Sequence, residues 1–238
     1  MSGKTTLRIA RPGKGGAAGE AGAYGTAYSD YEIEAKEGMT LLDALESIRA
    51  GTEPSLRYRH SCHHGSCGTC GAVVDGKEAL MCLVRLEALG PGPVLVEPLR
   101  KMDAVGDLAV DPSPLFESLP PGSGYLRRSE VPHGLGREEG GEYERFEACI
   151  ECGICVSACP VPADRPFAGP AALAMADRDR EERPGLAEPA LAFAARPEGV
   201  AACDRAFACS RACPQGVAPG RRIESLRKAL AAKATGRS

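Results

Sequence analysis

Cys62, Cys67 and Cys70 are spaced C-x4-C-x2-C, and Cys82 follows after eleven more residues. Thiolates at the first three of these spacings cage a 2Fe-2S cluster. Gly65, Gly68 and Gly71 lie between and beside them, where a backbone that must curl around two irons needs residues free of a Cβ. A structural zinc site is the bland alternative, but it usually takes two C-x2-C pairs, and only one stands here. His63 and His64 share the loop. Two histidines replace two cysteines on one iron of some 2Fe-2S centres, yet four cysteines already fill the coordination, so both histidines read as loop residues.

A second run, Cys149, Cys152, Cys155 and Cys159-Pro160, follows C-x2-C-x2-C-x3-C-P without departure. Where a chain holds two cubane clusters, the fourth cysteine of such a run serves the other cluster, so a partner run is required. Cys203, Cys209 and Cys213-Pro214 supply it, with Ala206 where another cysteine belongs. Crossed ligation then assigns Cys149, Cys152, Cys155 and Cys213 to a 4Fe-4S cluster, and Cys159, Cys203 and Cys209 to a 3Fe-4S cluster. Water, hydroxide or an outside ligand at the Ala206 corner would instead complete a full cube. Groups of four, four and three consume all eleven cysteines. A three-iron centre suits the electron-accepting end of a relay.

Eleven is an odd number, and the first ten residues lack the apolar stretch of a secretory leader, so metal ligation is favoured over a disulfide framework. The 29 basic and 32 acidic residues leave a net charge of -3, which excludes the strongly basic surface of a nucleic-acid binder. No apolar run approaches the roughly 18 residues that a membrane span needs. The expectation is a cytoplasmic chain that meets ordinary protein partners.

The elements that position the cysteines differ between the two halves. Strands are predicted at 5–10, 28–35, 72–74, 79–81 and 94–97, and Asp75-Gly76 is a hairpin turn because both residues tolerate positive φ. Thr40 caps a helix over 40–50 whose Leu41, Leu42, Leu45 and Ile48 recur at helical spacing, with Gly51 as its stop. The glycine-rich stretch 14–25 lacks the Gly-Lys-Ser/Thr ending of a phosphate loop and reads as a flexible hairpin tip. Prolines, glycines and charges mark 111–141 as linker. Beyond it, helices are predicted at 142–148, 170–179, 188–195 and 222–233, so the second half reads as all helix. The basic tail, with Arg221, Arg222, Arg227, Lys228, Lys233 and Arg237, reads as a solvated helix face.

Taken together, the markers resemble the iron-sulfur subunit of succinate dehydrogenase and fumarate reductase over nearly the whole length. They are Ser61-Cys62-His63-His64-Gly65-Ser66-Cys67-Gly68-Thr69-Cys70-Gly71, Gly106-Asp107-Leu108-Ala109-Val110-Asp111, the run 149–160, Gly169-Pro170-Ala171-Ala172, and the run 203–214 with Gly216. The resemblance implies an α+β chain: a β-grasp 2Fe-2S ferredoxin domain at 1–103, a linker at 104–141, and an α-helical ferredoxin domain at 142–238. It further implies a relay from an FAD-containing flavoprotein subunit, through 2Fe-2S, 4Fe-4S and 3Fe-4S clusters, to a quinone at a membrane anchor that carries haem in some members. Succinate oxidation or fumarate reduction would belong to the flavin subunit, and the chain would sit peripherally on the cytoplasmic face of a bacterial inner membrane.

One departure from that pattern concerns the quinone. Family members often place tryptophan just after the Cys-Pro of the first run and histidine after the first cysteine of the second. Here Val161-Pro162-Ala163-Asp164 and Asp204 stand in those places, and the chain has no tryptophan. Only Pro160 carries over to a quinone site. The alternative is a soluble relative that serves a thiol-dependent fumarate reductase or another flavoprotein oxidoreductase.

Overall fold

The computed structural model describes residues 3–11, 27–90, 92–120, 123 and 149–236, so the tip at 14–25 and the helix at 142–148 lie outside the described residues. Five strands form one mixed sheet: β1 (Gly3–Ala10), β2 (Tyr28–Ala35), β3 (Gly71–Val74), β4 (Lys77–Leu80) and β5 (Val94–Glu97), in the order β2-β1-β5-β3-β4. The long antiparallel pair runs from Gly3 opposite Ala35 to Ala10 opposite Tyr28, and β5 joins β1 in parallel with Leu7 opposite Val94. Leu7, Ile9, Val94 and Val96 point to the same buried face, as strand alternation requires. Asp75 and Gly76, at φ 46° and 78°, make the expected two-residue turn between β3 and β4.

Helix α1 (Leu41–Gly51) lies on that face and buries Leu41, Leu42, Leu45 and Ile48. At about 2 kcal/mol for each large apolar side chain, burial rather than intrinsic propensity holds the helix in place. Its start is set by a capping box: Thr40 Oγ1 accepts from Asp43 N–H at 3.2 Å, and Asp43 Oδ2 accepts from Thr40 N–H at 2.9 Å.

The stretch from 104 onward differs from the linker expected at 104–141. Residues 104–118 form a hairpin of β6 (Ala104–Gly106) and β7 (Ala109–Val110), then helix α2 (Ser113–Ser118). Leu108 and Val110 belong to the same core as α1 and the sheet. The physical reason is Asp107, a buried carboxylate that accepts from Arg11 Nε at 2.9 Å and from the Arg57 backbone N–H at 2.7 Å. The Gly-Asp-Leu-Ala-Val-Asp marker is therefore a clasp on the first domain. Gly106 permits it, since a Cβ there would meet Arg57 Cδ at 2.5 Å.

Residues 149–236 contain helices and, as described, no strand: α3 (Ile154–Ser157), α4 (Gly169–Glu182), α5 (Ala187–Ala195), α6 (Ala208–Ala212) and α7 (Pro219–Ala234). Alanines let α4, α5 and α7 approach closely around Leu173, Ala176, Ala190, Ala194, Ile223 and Leu226. Ile154 is fully buried in the core of the first domain, with Ile150, Cys152, Val156 and Ala212 packed against it. The polar side of this junction is a buried Glu78 carboxylate that accepts from Arg100 Nη1 and from Ser157 Oγ, each at 3.0 Å, while Ser157 Oγ accepts from the Arg100 N–H at 2.9 Å.

Replacing Thr40 with alanine removes the cap but no apolar contact of the core, so it should lower stability by about 1 kcal/mol. Leu45→Ala should lower it by about 3 kcal/mol. Urea unfolding of the two variants checks the ranking.

Candidate metal centres

The loop carrying Cys62, Cys67 and Cys70 closes by left-handed turns at His63, Gly65 and Gly68, with φ of 62°, 78° and 73°. These turns aim backbone donors inward. Ser66 N–H and Cys67 N–H reach Cys62 Sγ at 3.2 and 3.3 Å, and Cys67 Sγ lies 3.2 Å from Thr69 Oγ1. Burial opposes ionisation of Cys62, but the N–H donors of His64, Cys67 and Ser66 together outweigh it and bring the thiol down to about 6. Cys82 arrives in a 3-10 turn at Met81–Leu83, directly after β4. Its sulfur is 3.3 Å from Cys70 Sγ, and both are buried. That separation is far beyond the roughly 2.05 Å of a disulfide. Burial, then the neighbouring Cys82, pushes the Cys70 thiol up to about 12.

Cys149, Cys152, Cys155 and Cys213 line one cavity together with apolar Leu119 and Met175. Glu151 and Gly153 take left-handed φ of 51° and 75°, which curls the run so that Cys155, on α3, faces the same space as Cys149 and Cys152. Dense surroundings desolvate these sulfurs. Burial pushes Cys152 up to about 12 and Cys155 well above the usual thiol range, and the other cysteines of the group add like-charge repulsion. Cys149 is raised by burial and again by Cys213. Thiols so placed lose their protons only to a cation that takes its place, and the all-sulfur donor set selects a soft metal.

The remaining three cysteines gather beyond α3. Cys209, buried on α6, is raised by burial and then by Cys159 and Cys203. Arg205 and Phe207 bracket Ala206 with left-handed φ of 57° and 56°, and Ala206 itself is exposed. The carbonyls of Cys159 and Val161 both accept from the ammonium of Lys101, which ties this loop to the first domain. Pro160, between them, is exposed. Asp204 pairs with Arg165 at 2.6 Å.

The first two groups touch, and the third lies beyond the second. Gly68, between Cys67 and Cys70, packs so tightly on the second group that a Cβ there would lie 2.8 Å from Cys152 Cβ and from the Ile150 carbonyl. Gln215 Nε2, two residues after Cys213, donates to the Gly65 carbonyl at 2.7 Å. On the far side, Cys155 lies within electrostatic reach of Cys209. Spacing rules found every cysteine but missed Lys101, Gln215 and the Glu78–Arg100–Ser157 network, because single residues far apart in sequence carry no pattern.

Residues 17–117 match the family of 2Fe-2S iron-sulfur cluster binding domains, and residues 145–217 match the family of 4Fe-4S dicluster domains. Over 215 residues, 87% of each chain, the sequence is 35% identical to a fumarate reductase iron-sulfur subunit of Mycobacterium tuberculosis. The chain belongs to the fumarate reductase and succinate dehydrogenase iron-sulfur subunits. A Haemophilus influenzae fumarate reductase iron-sulfur subunit is 33% identical over 82% of this chain and 83% of its own. The rice mitochondrial succinate dehydrogenase [ubiquinone] iron-sulfur subunit 1 is 28% identical over 84% of this chain and 74% of its own. Among solved structures, a chain of the Mycobacterium smegmatis Sdh1 complex in the apo form superposes with a TM-score of 0.72, covering 98% of both chains at 25% identity. This iron-sulfur subunit thus has the α+β build expected of it, and no described helix is long and apolar enough to cross a membrane.

Gly68 and Gly76 share nearly the same φ, but a Cβ at Gly76 meets nothing within 4 Å. Gly76→Ala should therefore cost only the left-handed backbone strain, about 1 kcal/mol. Gly68→Ala should cost clearly more and part the first two cysteine groups. Urea unfolding of both variants, with iron content measured alongside, isolates the contact.

Proposed function

We propose that Cys62, Cys67, Cys70 and Cys82 hold a 2Fe-2S cluster, that Cys149, Cys152, Cys155 and Cys213 hold a 4Fe-4S cluster, and that Cys159, Cys203 and Cys209 hold a 3Fe-4S cluster. On this reading the chain relays electrons between an FAD-containing flavoprotein subunit and a quinone at a membrane anchor, as its kinship with the fumarate reductase and succinate dehydrogenase subunits suggests. The observation that carries the proposal is the packing of Gly68, in the first cysteine loop, against Cys152 of the second group, whose Cys149, Cys155 and Cys213 line the same cavity.

The clusters supply one-electron chemistry when bound. The chain's own residues do the rest. Backbone N–H groups of Ser66 and Cys67 stabilise negative charge on Cys62 sulfur, and such hydrogen bonds raise the potential of a centre. Apolar Leu119 and Met175 keep water from the middle group. Lys101 places positive charge against the last group. The domain organisation that fits is a β-grasp ferredoxin domain whose core extends through the clasp at 104–110, followed by an α-helical ferredoxin domain.

Ala206 leaves the last group one thiolate short, at an exposed position. The exposed Pro160 is the residue we assign to the quinone. Asp204 stands where relatives often carry histidine and is taken up by Arg165, which fits a second reading, in which the chain serves a soluble thiol-dependent fumarate reductase and never meets quinone. In the purified complex, succinate oxidation coupled to a soluble quinone, against fumarate reduction by a thiol donor, separates the two readings.

Assembled anaerobically, the chain should contain about nine irons and give the oxidised three-iron signal in electron paramagnetic resonance. A count near four breaks the assignment. Ala206→Cys should admit a fourth iron and remove that signal, and its persistence would place the open corner elsewhere.

A further inference from the structure

Two histidines left unused by the cysteine groups converge on a carboxylate. Glu46 comes from α1, His60 from the segment just before the first cysteine loop, and His63 from within that loop. Their facing atoms form a triangle. His60 Nδ1 is 3.2 Å from His63 Nε2 and 3.4 Å from Glu46 Oε1, and His63 Nε2 is 3.5 Å from Glu46 Oε1. A tetrahedral ion with bonds of about 2.0–2.1 Å sets its ligand atoms about 3.3–3.4 Å apart. An octahedral ion at the same bond length sets neighbouring ligands about 2.8–3.0 Å apart. The observed edges fit the tetrahedral case. Two imidazoles and one carboxylate are also a donor set with which zinc keeps a fourth position open.

We propose that Glu46, His60 and His63 form a binding site for one zinc-like divalent ion beside the Cys62 loop. The side chains of His60, Glu46 and His63 are 26%, 36% and 41% exposed, so an ion can enter and its fourth position meets solvent. His63 has φ of 62°, and from this left-handed turn its ring reaches back toward α1. The site is thus assembled by the same turn that closes the cysteine loop.

Arg49 gates it. Its guanidinium lies over the Tyr58 ring, 4.5 Å from the centroid, and Nη2 is 3.2 Å from His60 Nε2. A guanidinium only donates, so the ion-free His60 accepts at Nε2 and carries its proton on Nδ1, inside the triangle. Ligation through Nδ1 moves the ring proton to Nε2, where it faces the Arg49 donor. Binding therefore requires Arg49 to turn away. An acceptor in its place would support the metal-bound tautomer, as outer partners of ligating histidines commonly do.

The test uses the full chain with its iron assembled anaerobically, dialysed against zinc chloride and then against zinc-free buffer. The expected result is one zinc per chain, an unchanged iron count, and only nitrogen and oxygen neighbours at the zinc X-ray absorption edge. Glu46→Gln and His63→Asn should each weaken zinc binding about tenfold or more at unchanged iron content, asparagine being chosen because it tolerates the left-handed turn. Arg49→Gln should tighten it. Failure of the parent chain to retain zinc, sulfur neighbours at the edge, or undiminished binding by both ligand variants overturns the proposal.

Discussion

A sulfur surrounded by protein and by other sulfurs cannot carry negative charge unaided, and this constraint organises the whole molecule. Cys152 and Cys155 sit where burial alone holds their protons on, and each further thiol in the cavity makes a second ionisation harder. Such a cavity is costly to build unless cations fill it. The fold meets the constraint with left-handed turns at Glu151, Gly153, Arg205 and Phe207, which bring thiols together from short stretches of chain. The first loop does it differently. There the backbone points N–H groups at Cys62, so charge is already partly compensated near the surface.

The same constraint explains why the two halves are fused rather than strung together. Electron transfer between centres demands short separations, and short separations demand that loops from different domains touch without slack. Gly68 against Cys152 supplies the contact, and Ile154 in the core of the first domain supplies the apolar adhesion that keeps it. Glu78, Arg100 and Ser157 fix the relative orientation with hydrogen bonds that water would otherwise take. Lys101 repeats the device on the far side.

Much of this was legible in the residues because local chemistry wrote it there. The C-x4-C-x2-C and C-x2-C-x2-C-x3-C-P spacings are short-range constraints on how a loop can wrap a ligand, and Cys149, Cys152 and Cys155 of the second run line one cavity with Cys213. Thr40, the leucines of α1 and the Asp75-Gly76 turn likewise act within a few residues of themselves. What spacing could not reveal is long-range. The linker expected from 104 onward begins instead as part of the first domain, because one carboxylate, Asp107, satisfied by Arg11 and the Arg57 backbone, folds it into the core. His63 reads as a loop residue for a related reason, since the carboxylate it meets, Glu46, belongs to α1.

Ile154 is seated within the first domain's apolar core although more than forty residues separate it from Val110. During synthesis, therefore, the sheet and α1 emerge from the ribosome before Ile154 exists to take its place among them. The amino-terminal half is an unfinished body until its carboxy-terminal half is born. Severing the gene between the halves would part Ile154 from the core it completes and Gly68 from the cysteine it leans on.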